Sequence, residues 1–225
     1  SGSSDMISKI TIDDKLFICS EVLSQVAESI EKVDTKYKGS SDFIAKPIKE
    51  FFVEKRMKFN ITSSNGEGVA QSAAVRPDLY LDVPNQKWYA YKENYGTDQE
   101  KYLVRFVNDY IEKLEEEFDS VYLVRNERFF GIYSFENGSR TEPDYLLFLS
   151  KDNGIMSTAL QLFVEPKGGH LIELDSWKER FLTEIENSYE DIIRIDNLEM
   201  KLIGMPFYNE ELRKDTFQTK FEELL

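Results

Sequence analysis

The strongest constraint on the fold comes from two extended apolar runs in the middle of the chain. The first spans residues 145–149, YLLFL, and the second spans residues 159–164, ALQLFV. The turn-forming tetrapeptide KDNG and a few small residues separate them. Short apolar runs bounded by turn residues are typical of buried β-strands. The two runs therefore predict neighbouring antiparallel strands at the centre of a sheet.

Charged residues lie where these two strands would meet at one edge of the sheet. Asp144 follows Pro143 and precedes the first run, whereas Glu165 and Lys167 follow the second run, with Pro166 between them. Side chains alternate faces along a strand, so Glu165 and Lys167 point to the same side. Antiparallel pairing places Asp144 beside both. The pattern predicts a cluster of two carboxylates and an ammonium; the alternative is a Pro-Asp turn beside a solvated ion pair.

Two carboxylates and a lysine in this arrangement suit metal-assisted phosphodiester hydrolysis. Carboxylate oxygens are ligands that Mg²⁺ accepts, and Mg²⁺ keeps several waters in such sites. A divalent cation polarises a phosphoryl oxygen and helps to make hydroxide from water, while a lysine orients that water or offsets negative charge. Asp144 and Glu165 are therefore candidate metal ligands, and Lys167 is a candidate catalytic residue.

An amphipathic segment before this region predicts a long helix over residues 97–118. Its apolar residues recur at helical spacing, and Thr97 and Glu100 match a Thr-x-x-Glu capping box at its start. Glu100 also precedes Leu103 and Val107 on the apolar stripe. Two interpretations stay open, because Glu100 either caps the helix only or is a further acid of the catalytic cluster.

The remaining elements predict an α/β fold with a mixed central sheet flanked by helices. Residues 121–126 are expected to form a strand, with residues 128–135 as its hairpin partner. A helix capped by Asp175 or Ser176 follows the central stretch. A last strand is expected over residues 200–207, before a closing helix.

The chain divides into a start, an extension and a core. Residues 1–6, SGSSDM, are typical of a remnant of expression cloning. Residues 7–95 predict an N-terminal α+β extension packed on the core, with a helix over residues 15–33 and a strand pair within residues 75–93. Residues 96–225 form the expected core.

Composition limits the classes of function. The formal net charge of −14 argues against strong nucleic-acid binding by this chain alone, since phosphate contacts come from clustered Lys and Arg. One cysteine, Cys19, and one histidine, His170, exclude multi-cysteine and multi-histidine metal sites. No phosphate-loop motif is present, so no ATP site is expected in this chain. A cytoplasmic protein that does not span a membrane is expected.

A family resemblance rests on five segments within residues 96–182: GTDQEKYLVRFV, VYLVRNERFFGIY, TEPDYLLFL, LQLFVEPKGGHL and LDSWKERFL. Together they resemble the C-terminal endonuclease domain of the restriction (Res) subunit of type III restriction–modification enzymes. The order Pro-Asp, then Glu-x-Lys, resembles the PD-(D/E)xK nuclease superfamily. The resemblance implies Asp144 and Glu165 as metal ligands, Lys167 as the catalytic lysine and Glu100 as a candidate fourth member.

The same resemblance implies a fold, an activity and partners. The expected fold is a restriction-endonuclease-like core, and the expected activity is site-specific cleavage of double-stranded DNA that depends on Mg²⁺, with Mn²⁺ as a substitute. In that family the domain follows a helicase-like ATPase motor of the same polypeptide, where ATP is expected to bind. The domain works there with a methyltransferase (Mod) subunit.

Three further residues are candidates for contact with DNA phosphate: Lys178, Arg180 and His170. The alternatives are solvated helix charges for the first two and a structural histidine for the third. A rival interpretation of the whole chain is an interaction module of nuclease fold. Such a module would dock the motor or the methyltransferase subunit and have little activity alone.

Overall fold

The computed structural model describes residues 11–31, 43, 48–50, 67–188, 193–195 and 197–225. Four α-helices lie within these residues: α1 (Ile12–Glu31), α2 (Asp98–Glu117), α3 (Ser176–Ser188) and α4 (Lys214–Glu222). Seven strands accompany them: β1 (Ser120–Arg125), β2 (Ile132–Tyr133), β3 (Arg140–Thr141), β4 (Tyr145–Asp152), β5 (Ser157–Val164), β6 (Ile193–Ile195) and β7 (Leu198–Gly204). The expected mixed α/β class is confirmed.

A five-stranded mixed sheet with the order β1-β4-β5-β7-β6 forms the centre of the fold. Strands β4 and β5 are antiparallel neighbours, with Tyr145 opposite Val164 and Asp152 opposite Ser157. The hairpin predicted from the two apolar runs is therefore confirmed. Strands β5 and β7 are parallel, and the crossover between them contains α3.

Alternating side chains of β4 divide between two hydrophobic clusters, one on each face of the sheet. Tyr145 and Leu147 are fully buried in the cluster that contains residues of α2 and α4. Leu146 belongs to the opposite cluster, where it lies with Phe181 and Leu182 of α3. Because helices cover both faces, the strand is apolar on both sides, which explains the continuous run of apolar residues in the sequence.

The packing of α3 on β7 requires a residue without a side chain at position 204. A Cβ on Gly204 would lie 1.7 Å from the carbonyl oxygen of Leu182, well inside any allowed contact. The glycine thus lets the helix approach the sheet closely. This approach fixes α3 against the sheet, together with Lys178 in its first turn and Asp175 directly before it.

The hairpin partner expected for β1 is wrong. Strand β4 occupies that position, with Arg125 opposite Tyr145, whereas β2 pairs with β3 in a separate two-stranded sheet. The buried Asn126 side chain explains the difference. Its amide nitrogen donates to the carbonyl oxygens of Phe130 and Pro143, so the chain turns away from β1 immediately after the strand ends.

The strand pair expected within residues 75–93 is also wrong. A 3₁₀ helix, Val83–Asn85, occupies its middle, and Tyr89 makes an isolated parallel bridge to Leu123 of β1. Pro84 lies in the first turn of that 3₁₀ helix and has no N–H to donate to a ladder. Val83 and Tyr89 are nevertheless buried in the cluster shared with α2, so this part of the extension contributes to the core.

The helix expected over residues 15–33 is confirmed as α1 up to Glu31, although it begins earlier, at Ile12, and residues 32 and 33 lie outside the described residues. The reason is a local cap, because the Asp14 backbone N–H donates to Oγ1 of Thr11 while the Thr11 N–H donates to the Asp14 carboxylate. Large apolar side chains of α1, including Leu16 and Leu23, are exposed. Within the described part of the chain, no helix has the length and apolar character needed to cross a membrane.

Candidate active site

Asp144 and Glu165 meet at the edge of the sheet where β4 begins and β5 ends. The backbone N–H of Asp144 donates to Oε2 of Glu165 over 2.9 Å. Beyond β5 the chain stays extended, because Tyr208 donates its N–H to the Glu165 carbonyl and accepts from the Lys167 N–H. Glu165 is 4% exposed. The juxtaposition predicted from strand pairing is therefore present.

The Lys167 side chain lies in the same place and is held on two sides. Its Nζ is 2.7 Å from Oε1 of Glu165 and 2.8 Å from Oδ2 of Asp175, and 12% of the side chain is exposed. Burial alone would lower the pKa of Lys167, but the two carboxylates outweigh burial and raise it. The lysine is thus a fixed, charged donor. Sequence reasoning had treated Asp175 only as a helix cap.

The pKa of Asp144 is raised by its burial and by the carboxylates that surround it. Burial, followed by the Glu165 and Glu100 carboxylates, raises the pKa of Asp144 from an ordinary 3.8 to about 8, although Lys167 and Arg125 act in the opposite direction. A carboxyl that stays protonated to this pH lacks a sufficient positive partner. A cation bound between the carboxylates would supply one.

Glu100 divides its two oxygens between a helix cap and an arginine. Its Oε2 accepts from the Thr97 backbone N–H at 2.6 Å, and its own N–H donates to Oγ1 of Thr97, so the predicted capping box is confirmed. Its Oε1 lies 2.7 Å from a terminal nitrogen of Arg125. The carboxylate is buried and close enough to raise the pKa of Asp144. Glu100 therefore borders the cluster while its hydrogen bonds go to Thr97 and Arg125.

This double role predicts that Glu100→Gln destabilises the fold. A glutamine has one acceptor oxygen, so it cannot serve both Thr97 and Arg125, and it removes the charge that faces the partly buried guanidinium of Arg125. We expect the free energy of unfolding to fall by about 1–3 kcal/mol. Urea denaturation compared with Glu116→Gln, an exposed glutamate of the same helix, measures the difference. Equal losses in the two variants would contradict a stabilising Glu100–Arg125 pair.

The carboxylates open onto a pocket of about 340 Å³. The nine side chains that line it are all polar or charged: Asn126, Arg128, Arg140, Thr141, Glu142, Asp144, Glu165, Lys167 and Lys178. Four are cationic and three are acidic, whereas the whole chain has a net charge of −14. A lining of this kind suits an anionic, solvated ligand rather than an apolar small molecule.

The candidates for phosphate contact fall at different distances from this pocket. Lys178 lines it and pairs with Asp175 at 2.9 Å. Arg180 is exposed on α3, with its guanidinium 3.4 Å from Oγ of Ser176, and His170 is exposed on the 3₁₀ helix Gly169–Leu171. Neither of these two belongs to the pocket lining.

Sequence reasoning missed the two arginines of the pocket, Arg128 and Arg140. Arg128 lies in the loop after β1, and Arg140 lies in β3. Both reach the edge occupied by Asp144, since β1 ends opposite the start of β4. A signal for Arg128 was present: the antiparallel neighbour of β4 had to end at this edge. This position of Arg128 was not predicted, because the segment after β1, and not β4, was expected to pair with β1.

The donor set fits a magnesium ion bound by few protein ligands. In the described ranges, no group of three or more His, Cys, Asp or Glu side chains is arranged to hold a metal. Mg²⁺ commonly takes one or two carboxylates and fills its other positions with water and substrate phosphate oxygens. Asp144 and Glu165 supply two carboxylates at the pocket, and a bound cation would counteract the burial and the neighbouring carboxylates that raise the pKa of Asp144.

Comparisons with known proteins show a related domain. The family model of the HI_1054_C C-terminal domain matches residues 39–223. An uncharacterized protein of Haemophilus influenzae (strain ATCC 51907 / DSM 11121 / KW20 / Rd) is 31% identical over 211 residues. The alignment covers 90% of this chain and 43% of that relative, so the chain spans less than half of the relative's length. No solved structure matches the chain.

Proposed function

We propose that this chain, which belongs to the HI_1054_C C-terminal domain family, is a metal-dependent nuclease domain that hydrolyses phosphodiester bonds in DNA. One observation carries the proposal: Asp144, Glu165 and Lys167 converge at one edge of the central sheet and open onto a pocket lined by polar groups. A structural ion pair does not require a second carboxyl whose pKa is raised to about 8. Hydrolysis of an anionic phosphodiester uses such a cluster.

Each residue has a part in the proposed reaction. Asp144 and Glu165 would hold Mg²⁺, which when bound supplies charge stabilisation for the phosphoryl oxygens and a more acidic water. Lys167, fixed by Glu165 and Asp175, donates to the attacking water or to a phosphate oxygen. Asp175 positions that lysine. Arg125, which pairs with Glu100, acts on Asp144 in the opposite direction to the carboxylates and favours its ionised form.

The finer proposal is a restriction-endonuclease-like domain of a type III restriction enzyme. It rests on the resemblance of residues 96–182 together with the helix, strand and acid order described above. On this proposal the substrate is double-stranded DNA, and the partners are the helicase-like motor of the same polypeptide and the methyltransferase subunit. Sequence recognition and ATP hydrolysis would reside in those partners.

A second candidate function is an interaction module that keeps the nuclease fold but has little activity alone. The net charge of −14 favours it, because an acidic domain depends on other parts of an assembly to approach DNA. The two candidates differ in whether the Asp144–Glu165–Lys167 cluster is needed for cleavage.

Plasmid nicking tests the proposed function. At low salt, the domain is expected to convert supercoiled plasmid slowly to the open circle in the presence of Mg²⁺ or Mn²⁺. EDTA should stop the reaction, and ATP should have no effect. The matched control is Asp144→Ala combined with Glu165→Ala, purified in the same way. If the double variant nicks as fast as the unaltered domain, the cluster is not the nuclease site.

A further inference from the structure

The loop after β1 brings to the pocket a cation whose charge is not already neutralised. Of the four cationic side chains in the lining, Lys167 and Lys178 pair with Asp175, and Arg140 pairs with Glu142 at 2.8 Å. Arg128 is the fourth. Its side chain is exposed, and among the described residues its guanidinium has no ion pair. An exposed guanidinium without an ion pair is available to bind an anionic ligand.

A buried asparagine fixes the loop that carries Arg128. Asn126 is 7% exposed, and its Nδ2 donates to the carbonyl oxygens of Phe130 and Pro143, each over 2.9 Å. Its Oδ1 accepts from the Phe129 N–H at 3.0 Å. One side chain therefore closes the loop and ties it to the strand entry beside the carboxylates. The loop is braced rather than free.

The backbone holds Arg128 in a conformation that favours glycine. Its φ is 60°, in the left-handed region, and among the described residues it is the one non-glycine residue with a positive φ. The Asn126 N–H also donates to the carbonyl of Asp144 over 2.7 Å, so the loop and the proposed metal ligand are joined directly. The position of Arg128, with its strained backbone, is therefore fixed relative to Asp144 as well as within its own loop.

We infer that Arg128 is a phosphate anchor, which binds a backbone phosphate of DNA next to the bond held at Asp144 and Glu165. This inference rests on the proposed function, because it takes the pocket to be the place where DNA is cut. A guanidinium binds a phosphate through two parallel hydrogen bonds, which fix orientation as well as position. In a chain of net charge −14, one unneutralised cation beside the site is expected to contribute a large share of the attraction for DNA.

The test measures binding of a fluorescently labelled DNA duplex by anisotropy in EDTA, where no cleavage occurs. The variant is Arg128→Gly, because glycine accepts a φ of 60° and so the fold is retained. Affinity at low salt is expected to fall at least about fivefold, and the slope of log affinity against log salt should decrease by about 1, as for the loss of one phosphate contact. Lys113→Ala removes an exposed cation of α2 outside the pocket and is the matched control.

The outcomes separate this inference from the proposed function. Arg128→Gly binding equal to that of the unaltered domain, or no binding by the unaltered domain at its highest soluble concentration, overturns the anchor. If nicking remains dependent on Asp144 and Glu165 in that case, the nuclease proposal stands without it. Conversely, Arg128-dependent binding by a domain that does not nick supports phosphate binding by Arg128, but it removes the nuclease proposal and with it the placement of that phosphate next to a bond that is cut. Arg128→Lys should recover part of the affinity, since a lysine keeps the charge but not the paired hydrogen bonds.

Discussion

Lys167→Met is expected to lower the rate of metal-dependent nicking at least about 100-fold, the loss typical of removing one fixed donor to transition-state charge. The lysine is held by Glu165 and Asp175, so its ammonium has one position and one direction. Methionine has a similar length and no charge, so the packing of the stem is largely preserved. The measurement is the initial rate of plasmid nicking at saturating Mg²⁺ or Mn²⁺.

Stability has to be measured beside activity, because Lys167 is not the exposed residue that its polarity suggests. Only 12% of its side chain is exposed, and its ammonium pairs with the carboxylates of Asp175 and of the buried Glu165. Its removal leaves an uncompensated buried charge, which destabilises the fold by about 1–3 kcal/mol. Lys201→Met, which removes a half-exposed lysine paired with Glu186, is the control for the loss of a lysine as such. Equal nicking by the Lys167 and Lys201 variants would contradict the assignment of Lys167.

The centre of the fold and the acid cluster could be predicted because both follow from local rules. The two apolar runs predicted the β4–β5 hairpin, and the alternation of side chains along a strand predicted that Glu165 and Lys167 lie on one side of it. The capping box at Thr97 and Glu100 is likewise a short-range pattern that can be found by spacing alone. None of these required knowledge of distant contacts.

The errors came from interactions between segments that are far apart in sequence. The partner of β1 is β4 rather than the following segment, because the Asn126 side chain bonds to Pro143, 17 residues away. The role of Asp175 depends on how closely α3 approaches the sheet, which Gly204 permits. Periodicity and turn signals contain no information on such contacts, so the second partner of Lys167 and the position of Arg128 could not be predicted.

Asp144→Asn is expected to stabilise the domain in EDTA, and the gain should grow as the pH rises. The raised pKa means that folding favours the protonated carboxyl. The stability that this group contributes is complete below its unfolded pKa near 3.8 and is lost as the pH rises through about 8. Asparagine has nearly the shape of the protonated acid and does not ionise. The variant should therefore differ little from the unaltered domain at pH 4 and exceed it at pH 8.5.

The size of this effect follows from the free energy of protonation. Each tenfold preference for the protonated form is worth about 1.4 kcal/mol, and for a chain of this length 1 kcal/mol corresponds to about 2–4 °C in Tm. We expect Asp144→Asn to raise Tm at pH 8.5 by at least about 5 °C. Thermal unfolding followed by circular dichroism measures it, with Asp109→Asn, an exposed carboxyl of α2, as the control. A gain that is equal at both pH values, or equal in both variants, would contradict a raised pKa at Asp144.

Addition of Mg²⁺ at pH 8.5 connects this stability effect with the proposed chemistry. A cation bound by Asp144 and Glu165 offsets the burial and the carboxylate repulsion that together raise the pKa of Asp144, and binding to the folded state alone raises Tm. The unaltered domain should therefore gain stability from Mg²⁺, whereas Asp144→Asn should gain little, because the amide has replaced the charge that attracts the ion. The same Mg²⁺-dependent rise in both proteins would place the ion elsewhere. Since the variant is the more stable protein before metal is added, a loss of nicking in it cannot be attributed to unfolding.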